Sequence, residues 1–284
     1  KGATSFNQDI GDWDVSNVTN MAETFMGASA FNQDIGSWVT SNVTTMNSMF
    51  LDASAFNQPL NNWDVSNVTD MRNMFGLTDG TNSNFNQPLN NWDVSSVTKT
   101  GLMFGTSGGD GTGDIRAFNQ DIGDWDVSNV TDMGSMFKSA EQFNQDLSDW
   151  DVSSNTNFYT MFDRASAYNN GGGSLSCWDT SSATDMDWMF YLTLINQDLS
   201  NWCVASVTAQ SPIARFGNIG GTNPTWGTCP DNSVVLSIND VTKTFGDPNF
   251  TVAATSNQSG IPITYLIADT SIATINASSG QITI

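Results

Sequence analysis

Residues 56–71 read FNQPLNNWDVSNVTDM, and close copies of this stretch recur along the chain. FNQDIGDWDVSNVTNM occupies residues 6–21, and FNQDIGDWDVSNVTDM occupies residues 118–133. A regular period of about 25 residues is typical of a repeat protein whose units stack and bury one continuous core. The tryptophans that mark the successive units are Trp13, Trp38, Trp63, Trp92, Trp125, Trp150, Trp178, Trp202 and Trp226.

The first half of each unit has the apolar spacing of a leucine-rich repeat. Leu60, Trp63, Val65 and Val68 give L-x-x-W-x-V-x-x-V. Since Trp63 and Val65 are two residues apart, both are expected to point inward from a short strand, with Asp64 pointing outward.

The second half of each unit has the spacing of a short amphipathic helix. Met71, Met74 and Phe75 lie at i, i+3 and i+4, which predicts one or two helical turns with a single apolar face. Thr69 precedes this segment and is expected to cap the helix. The Asn of each Phe-Asn-Gln is predicted to hydrogen-bond backbone groups between coils.

These patterns predict a leucine-rich-repeat-like α/β solenoid of about nine 25-residue coils, each with a short parallel strand and a short helix. The predicted solenoid covers residues 1–205, and a cap coil covers residues 206–232. A parallel β-helix is the alternative fold for the repeats. In residues 233–284, Val, Ile and Thr alternate between turn signals, which predicts an incomplete all-β, immunoglobulin-like sandwich.

Composition excludes several classes of function. The chain has 8 basic and 29 acidic residues, a net charge of −21 and no histidine. A field of this sign repels nucleic acids and anionic lipids, and the absence of histidine removes the usual neutral-pH general base. No apolar stretch is long enough to insert into a membrane. KGATSF at residues 1–6 matches the end of a repeat, so we expect the chain to be part of a longer protein.

The repeated W-D-V-S-N-V-T-x-M resembles the BspA-like leucine-rich-repeat group, first catalogued in mycoplasma lipoproteins. FNQPLNNWDVSNVTDMRNMF at residues 56–75 carries the resemblance, which covers about residues 1–232. TFGDPNFTVAATSNQSG, in the tail, is similar to bacterial immunoglobulin-like modules. The resemblance implies an extracellular protein of the bacterial cell surface, often adhesive, with no catalytic residues to carry over. In that setting Cys203 and Cys229 are expected to form a disulfide that fixes the cap.

The aspartates that follow the repeated tryptophans are expected to form one column if the coils stack. Carboxylates in such a column repel each other, so the column is either a solvated acidic face or a set of sites for calcium, the candidate cofactor. The candidate ligands are Asp64, Asp93, Asp126, Asp151 and Asp179. The insertion GGDGTGD at residues 108–114 resembles calcium-binding glycine-aspartate turns and adds Asp110 and Asp114.

Three aromatic residues interrupt the polar outer face of the predicted helices. Tyr159, Trp188 and Tyr191 lie in adjacent coils, so they are candidates for one ligand-binding patch. Scattered exposed aromatics are the alternative interpretation.

Together these features predict a non-catalytic adhesin or ligand-binding module whose partner is a cell-surface glycan or protein. A structural spacer is the first alternative. A polysaccharide-cleaving β-helix enzyme is the second, but the uniform acidic row offers no pair of carboxyls in contrasting environments.

Overall fold

The computed structural model of the chain divides into two compact units, Lys1–Pro230 and Asp231–Ile284. It describes residues 1–78, 82–108, 117–207, 216–217 and 219–230, together with the backbone of five short strands beyond residue 235. The first unit is a stack of turn-rich coils, one for each repeat. Single-residue parallel bridges link equivalent positions of successive coils, at Asn20, Thr45, Asp70, Lys99, Asp132, Asn157 and Asp185.

The helices predicted for the repeats are wrong. In the described part of residues 1–207, the only helix is the three-residue 3-10 helix Asn170–Gly172. In the Met-x-x-Met-Phe segment that begins at Met71, Asn73 has a φ of 56°. The N–H groups of Met71 and Asn73 donate to carbonyls of the next coil, each at a distance of 3.0 Å. Met74 N–H donates back to the Met71 carbonyl. A left-handed residue interrupts α-helical geometry, and bonds to the next coil replace the i→i−4 bonds of a helix.

The strand predicted for Trp-Asp-Val is also absent, although its alternation is confirmed. Trp63 and Val65 are buried, and Asp64 is exposed. However, Trp63 N–H donates to the Leu60 carbonyl and Val68 N–H to the Val65 carbonyl. Because these N–H groups close local turns, they are not available for a sheet. The α/β solenoid is therefore contradicted, and the described coils also lack the regular strands of a parallel β-helix.

Stacked aromatic rings form the core of the first unit. Ring centroids in neighbouring coils are 5.5 Å apart for Phe50 and Phe75, and 6.3 Å apart for Trp38 and Trp63. Equivalent rings of neighbouring coils therefore stack on each other and form the continuous core that the repeat predicts. Burial of this apolar surface, at roughly 25 cal/mol per Å², drives association of coils that have almost no regular secondary structure.

Polar side chains connect one coil to the next. Asn57 Oδ1 accepts the Asn86 N–H and the Gln87 Nε2, each at 3.0 Å, so the Asn prediction is confirmed. Thr69 is not a helix cap. Its N–H and hydroxyl donate to the Thr44 carbonyl of the preceding coil instead.

The second unit contains only short strands among its described residues. These are β1 (Leu236–Ile238), β2 (Phe250–Thr251), β3 (Ala254–Ser256), β4 (Thr274–Ile275) and β5 (Gln281–Thr283). β1 pairs antiparallel with β3, and β5 pairs antiparallel with both β2 and β4. One two-stranded and one three-stranded ladder of this length do not make a sandwich, so that prediction is wrong.

Candidate functional site

The aspartates after the repeated tryptophans each close a turn in their own coil. Asp93 Oδ1 accepts the Ser95 N–H at 3.1 Å and the Ser95 hydroxyl at 2.6 Å. Asp64 and Asp126 make the same pair of bonds to the serine two residues later. These Asx turns explain locally why an acidic residue recurs at this position.

The serine bonds also favour the charged forms of two members of the column. They lower the pKa of Asp93 and of Asp151, with the serine hydroxyl as the larger cause and the serine N–H as the smaller. Asp179 Oδ1 accepts the Ser181 N–H at 2.9 Å. Hydrogen bonds to a carboxylate offset part of the repulsion between neighbouring charges. The column is consistent with the solvated acidic face, the first of the two interpretations above.

Two more columns use side-chain oxygens in the same way. Asp34 and Asp121 each accept the N–H of the glycine two residues later. In the other of these two columns, Asp185 accepts the Asp187 N–H. Asn157 fills the equivalent position in the preceding coil and accepts the Tyr159 N–H. Since asparagine replaces aspartate there, hydrogen bonding to the turn is a sufficient reason for these residues.

The acidic groove of the first unit does not bring its carboxylates together as a metal site. This groove of about 340 Å³ is lined by Asp124, Asp126, Asp149 and Asp151 of two neighbouring coils. In the part of the chain that the structure describes, no three acidic or cysteine side chains converge as metal ligands. Asp110 and Asp114 lie in 109–116, outside the described residues.

Calcium is expected to leave the thermal unfolding midpoint of the whole chain unchanged at constant high ionic strength. Each column carboxylate already accepts bonds from its serine, and general screening is held constant by the salt. The measurement compares calcium with a chelator by circular dichroism. A rise of several degrees in calcium would contradict this expectation and show specific binding to the native state.

Val39 occupies an aspartate position of the column and is 56% exposed. Ser41 follows it at the spacing that Asp64 and Ser66 use. We expect Val39→Asp to raise the free energy of unfolding by about 0.5–1 kcal/mol in high salt, because the new carboxylate can accept the Ser41 N–H and hydroxyl.

Urea denaturation of the variant and the parent measures this gain. Val39→Asn is the matched control, since it can close the same turn without adding charge. A Val39→Asp variant less stable than Val39→Asn in high salt would show that repulsion along the column outweighs the turn bonds.

The predicted aromatic residues lie in neighbouring coils. Trp188 and Tyr191 make an edge-to-face contact with centroids 4.9 Å apart, and the Arg164 guanidinium lies 5.7 Å from the Tyr191 ring centroid. Tyr159 belongs to the preceding coil, and the next residue, Thr160, donates its N–H across the coils to the Asp187 carbonyl at 2.8 Å. Tyr159 is 45% exposed, whereas Trp188 and Tyr191 are half-buried.

Sequence reasoning missed three neighbours of these aromatics. Leu192 and Leu194 are 54% and 68% exposed, and Arg164 stacks on Tyr191. Alignment of the coils would have revealed Leu192, since Asp52 and Ser139 fill its position in other coils with the same left-handed backbone. We call this surface the aromatic patch, defined by Tyr159, Arg164, Trp188, Tyr191, Leu192 and Leu194.

Arg164 belongs to a partly buried charge cluster beside the aromatic patch. Its Nε lies 3.7 Å from Asp163 Oδ1, and Lys138 Nζ lies 4.0 Å from Asp163 Oδ2. Burial raises the pKa of Asp163, and the charges of Lys138 and Arg164 oppose that rise. Asp163 thus faces two cations at the edge of the patch over distances too long for a hydrogen bond.

The family model described as "Mycoplasma protein of unknown function, DUF285" matches residues 1–84, 80–109 and 110–216. These matches cover most of the stacked coils. The chain belongs to this family. Searches of curated proteins and of solved structures return no match.

The DUF285 matches end at residue 216, before the segment in which the tail resembles an immunoglobulin-like module. That resemblance is supported neither by the family match nor by the short strands β1–β5. The repeat part of the resemblance is confirmed, since the family match extends across the coils.

Two further features of the DUF285 chain are the state of its cysteines and the lengths of its helices among the described residues. Cys203 and Cys229 are joined by a disulfide, and Cys177 is free and exposed. Among the described residues, no helix is long and apolar enough to cross a membrane.

Proposed function

We propose that this chain is a non-catalytic, ligand-binding module of an extracellular bacterial surface protein and that the aromatic patch is its binding surface. The observation that carries the proposal is the concentration of exposed apolar side chains. Five large apolar side chains of the described residues are exposed, and Tyr159, Leu192 and Leu194 are three of them. Concentrated apolar exposure of this kind is typical of an interaction surface.

The construction of the coils supports a display role. Each coil is fixed to the next by backbone bonds, Asn side chains and stacked rings, so side chains on its outer edge are held in fixed positions. Rigid elements position binding residues with little loss of entropy on association. The Cys203–Cys229 disulfide supports an oxidising compartment, such as the cell exterior.

Attachment of the whole chain to host cells, purified glycans and matrix proteins tests the proposal. We expect saturable attachment that weakens about tenfold or more in Tyr159→Ala and Tyr191→Ala, because aromatic anchors contribute most of the energy of a typical interface. Val39→Ser is the control, since Val39 is an exposed apolar residue at an aspartate position of the column and outside the aromatic patch.

The same experiment separates the alternatives. No saturable attachment to any preparation would contradict the proposal and favour a structural spacer. Release of sugar ends from a polysaccharide that is lost in Asp126→Asn and Asp151→Asn would instead indicate a hydrolase that uses the acidic groove.

A further inference from the structure

The aromatic patch has two bulky side chains in an unfavourable backbone conformation. Trp188 has a φ of 63° and Leu192 a φ of 57°. The left-handed region disfavours large L-residues and suits glycine, asparagine and aspartate. The same left-handed φ recurs at these two positions along the stack, with Ser48 and Leu102 at the Trp188 position and Gly27 and Arg164 at the Leu192 position. Leu102 is not among the exposed large apolar residues, so a leucine that is both left-handed and exposed distinguishes Leu192.

The exposure of Leu192 makes this choice of residue costly in two ways. Leu192 is 54% exposed, so it gains little from burial in the isolated chain, while its conformation is strained. Residues that break a local rule without a compensating contact are concentrated at functional sites. A contact made only in a complex would supply the missing compensation.

The side-chain chemistry of the patch favours a protein partner over a glycan. Sugars stack on aromatic faces, which Tyr159 offers, but two adjacent exposed leucines offer no hydrogen bond to a sugar. Trp, Tyr and Arg are the residues most enriched at the energetic centres of protein–protein interfaces. Trp188, Tyr191 and Arg164 are in contact here as a preformed group.

The charge of the residues around the patch indicates the charge of the partner residues that would surround its apolar centre. Between Arg164 and Arg215 the sequence has no basic residue. Two acidic residues, Asp185 and Asp187, directly precede Trp188 in the same coil. The two cations at the edge of the patch, Arg164 and Lys138, both face Asp163. Lys138 Nζ also donates to the Gly108 carbonyl, and the whole chain carries a charge of −21. An acidic field of this kind attracts a cationic partner and repels an acidic one.

We infer that the aromatic patch binds a protein segment that has an apolar centre and a rim of Lys and Arg. This inference rests on the proposed function and names the partner class. Leu192, Leu194 and Tyr159 receive the apolar centre, while Asp185 and Asp187 face the basic rim. Leu192 keeps its strained conformation because the isobutyl group is needed in the complex.

A random peptide library displayed on phage provides the probe. The library is first depleted on the Leu194→Asp variant of the whole chain and then selected on the parent chain. We expect enriched peptides with aliphatic or aromatic centres flanked by Lys or Arg. Their affinity is expected to fall about tenfold or more in Leu192→Asn and Leu194→Asp, and about tenfold when salt rises from low to high ionic strength.

Thermal unfolding separates a binding role from a structural one. We expect Leu192→Asn to unfold at a midpoint no lower than that of the parent chain, since asparagine suits the left-handed backbone, while its peptide binding is lost. Loss of stability together with loss of binding would overturn the inference for Leu192.

Three other outcomes would also overturn it. The first is that no peptide is enriched over the Leu194→Asp variant. The second is that the selected peptides lack basic flanks. The third is that the chain binds a neutral glycan and that Tyr159→Ala abolishes this binding while Leu192→Asn does not. If the chain attaches to cells equally well with and without Leu194→Asp, the inference fails but the proposed ligand-binding function stands. If the parent chain attaches to nothing and enriches no peptide, both fail.

Discussion

Trp125→Ala is expected to lower the free energy of unfolding of the stacked coils by about 3–5 kcal/mol. Trp125 is 4% exposed, stacks on Trp92 with centroids 6.3 Å apart, and donates its Nε1–H to the Leu89 carbonyl at 3.1 Å. The substitution creates a cavity in the middle of the core, and it leaves a buried carbonyl without this donor. Both losses act at once, so the expected effect is among the largest that a single substitution produces.

The first coil supplies a matched control for this prediction. Trp13 occupies the same position of the repeat but is 61% exposed. We therefore expect Trp13→Ala to change the free energy of unfolding by no more than about 0.5–1 kcal/mol. Urea denaturation followed by circular dichroism measures both variants. Equal losses for the two substitutions would show that the indole acts through propensity or the unfolded state, and not through stacking between coils.

The periodicity of the sequence predicted which residues are buried better than it predicted their secondary structure. Trp63 and Val65 are buried, Asp64 is exposed, and like rings stack on like. A spacing of i, i+3 and i+4 describes which side chains share a face, and a series of turns satisfies it as well as a helix does. The left-handed φ of Asn73 decides between the two, and no rule of apolar spacing predicts it.

The candidate site was partly predictable from the sequence for the same kind of reason. Tyr159, Trp188 and Tyr191 interrupt a polar pattern, and alignment of the repeats was enough to single them out. Arg164 was not predicted, because its contact with Tyr191 depends on the register between coils. The aspartates after the repeated tryptophans could also be singled out from the repeat alone. The solvated-face interpretation includes hydrogen bonds from nearby Ser, Thr and Asn, and the structure gives them the form of an Asx turn to the serine two residues later.

Asn170→Ala is expected to lower the free energy of unfolding by about 3–5 kcal/mol, although Asn170 lies outside the regular repeat. Its side chain is completely buried. Its Oδ1 accepts the Leu147 N–H at 2.8 Å and the Tyr168 hydroxyl at 3.2 Å. Its Nδ2 donates to Ser148 Oγ at 3.1 Å. Alanine removes all of these partners in a place with no direct access to solvent, and Asn170 has a φ of 55°, which suits asparagine better than alanine.

Two control variants distinguish the loss of the buried hydrogen-bond network from the loss of a single exposed amide bond. Asn129→Ala removes one exposed bond, from Nδ2 to the Ser95 carbonyl, and is expected to cost less than about 1 kcal/mol. Tyr168→Phe removes only the hydroxyl that reaches Asn170 and is expected to cost about 0.5–1.5 kcal/mol. If Asn170→Ala is no more harmful than Asn129→Ala, the network does not stabilise the fold.

Asn170→Asp tests the charge requirement of this network. The introduced carboxylate can still accept the Leu147 N–H, but the amide donor of Asn170 is lost. One carboxylate oxygen takes the place of Asn170 Nδ2, which lies 3.3 Å from Asp146 Oδ1. Burial beside another carboxylate favours the protonated form, so the folded-state pKa of the introduced group is raised above its unfolded value. The variant is then least stable near neutral pH and recovers toward the parent as the pH falls below that raised pKa. A deficit that stays constant from neutral to acid pH would show that the missing donor, and not the added charge, is responsible.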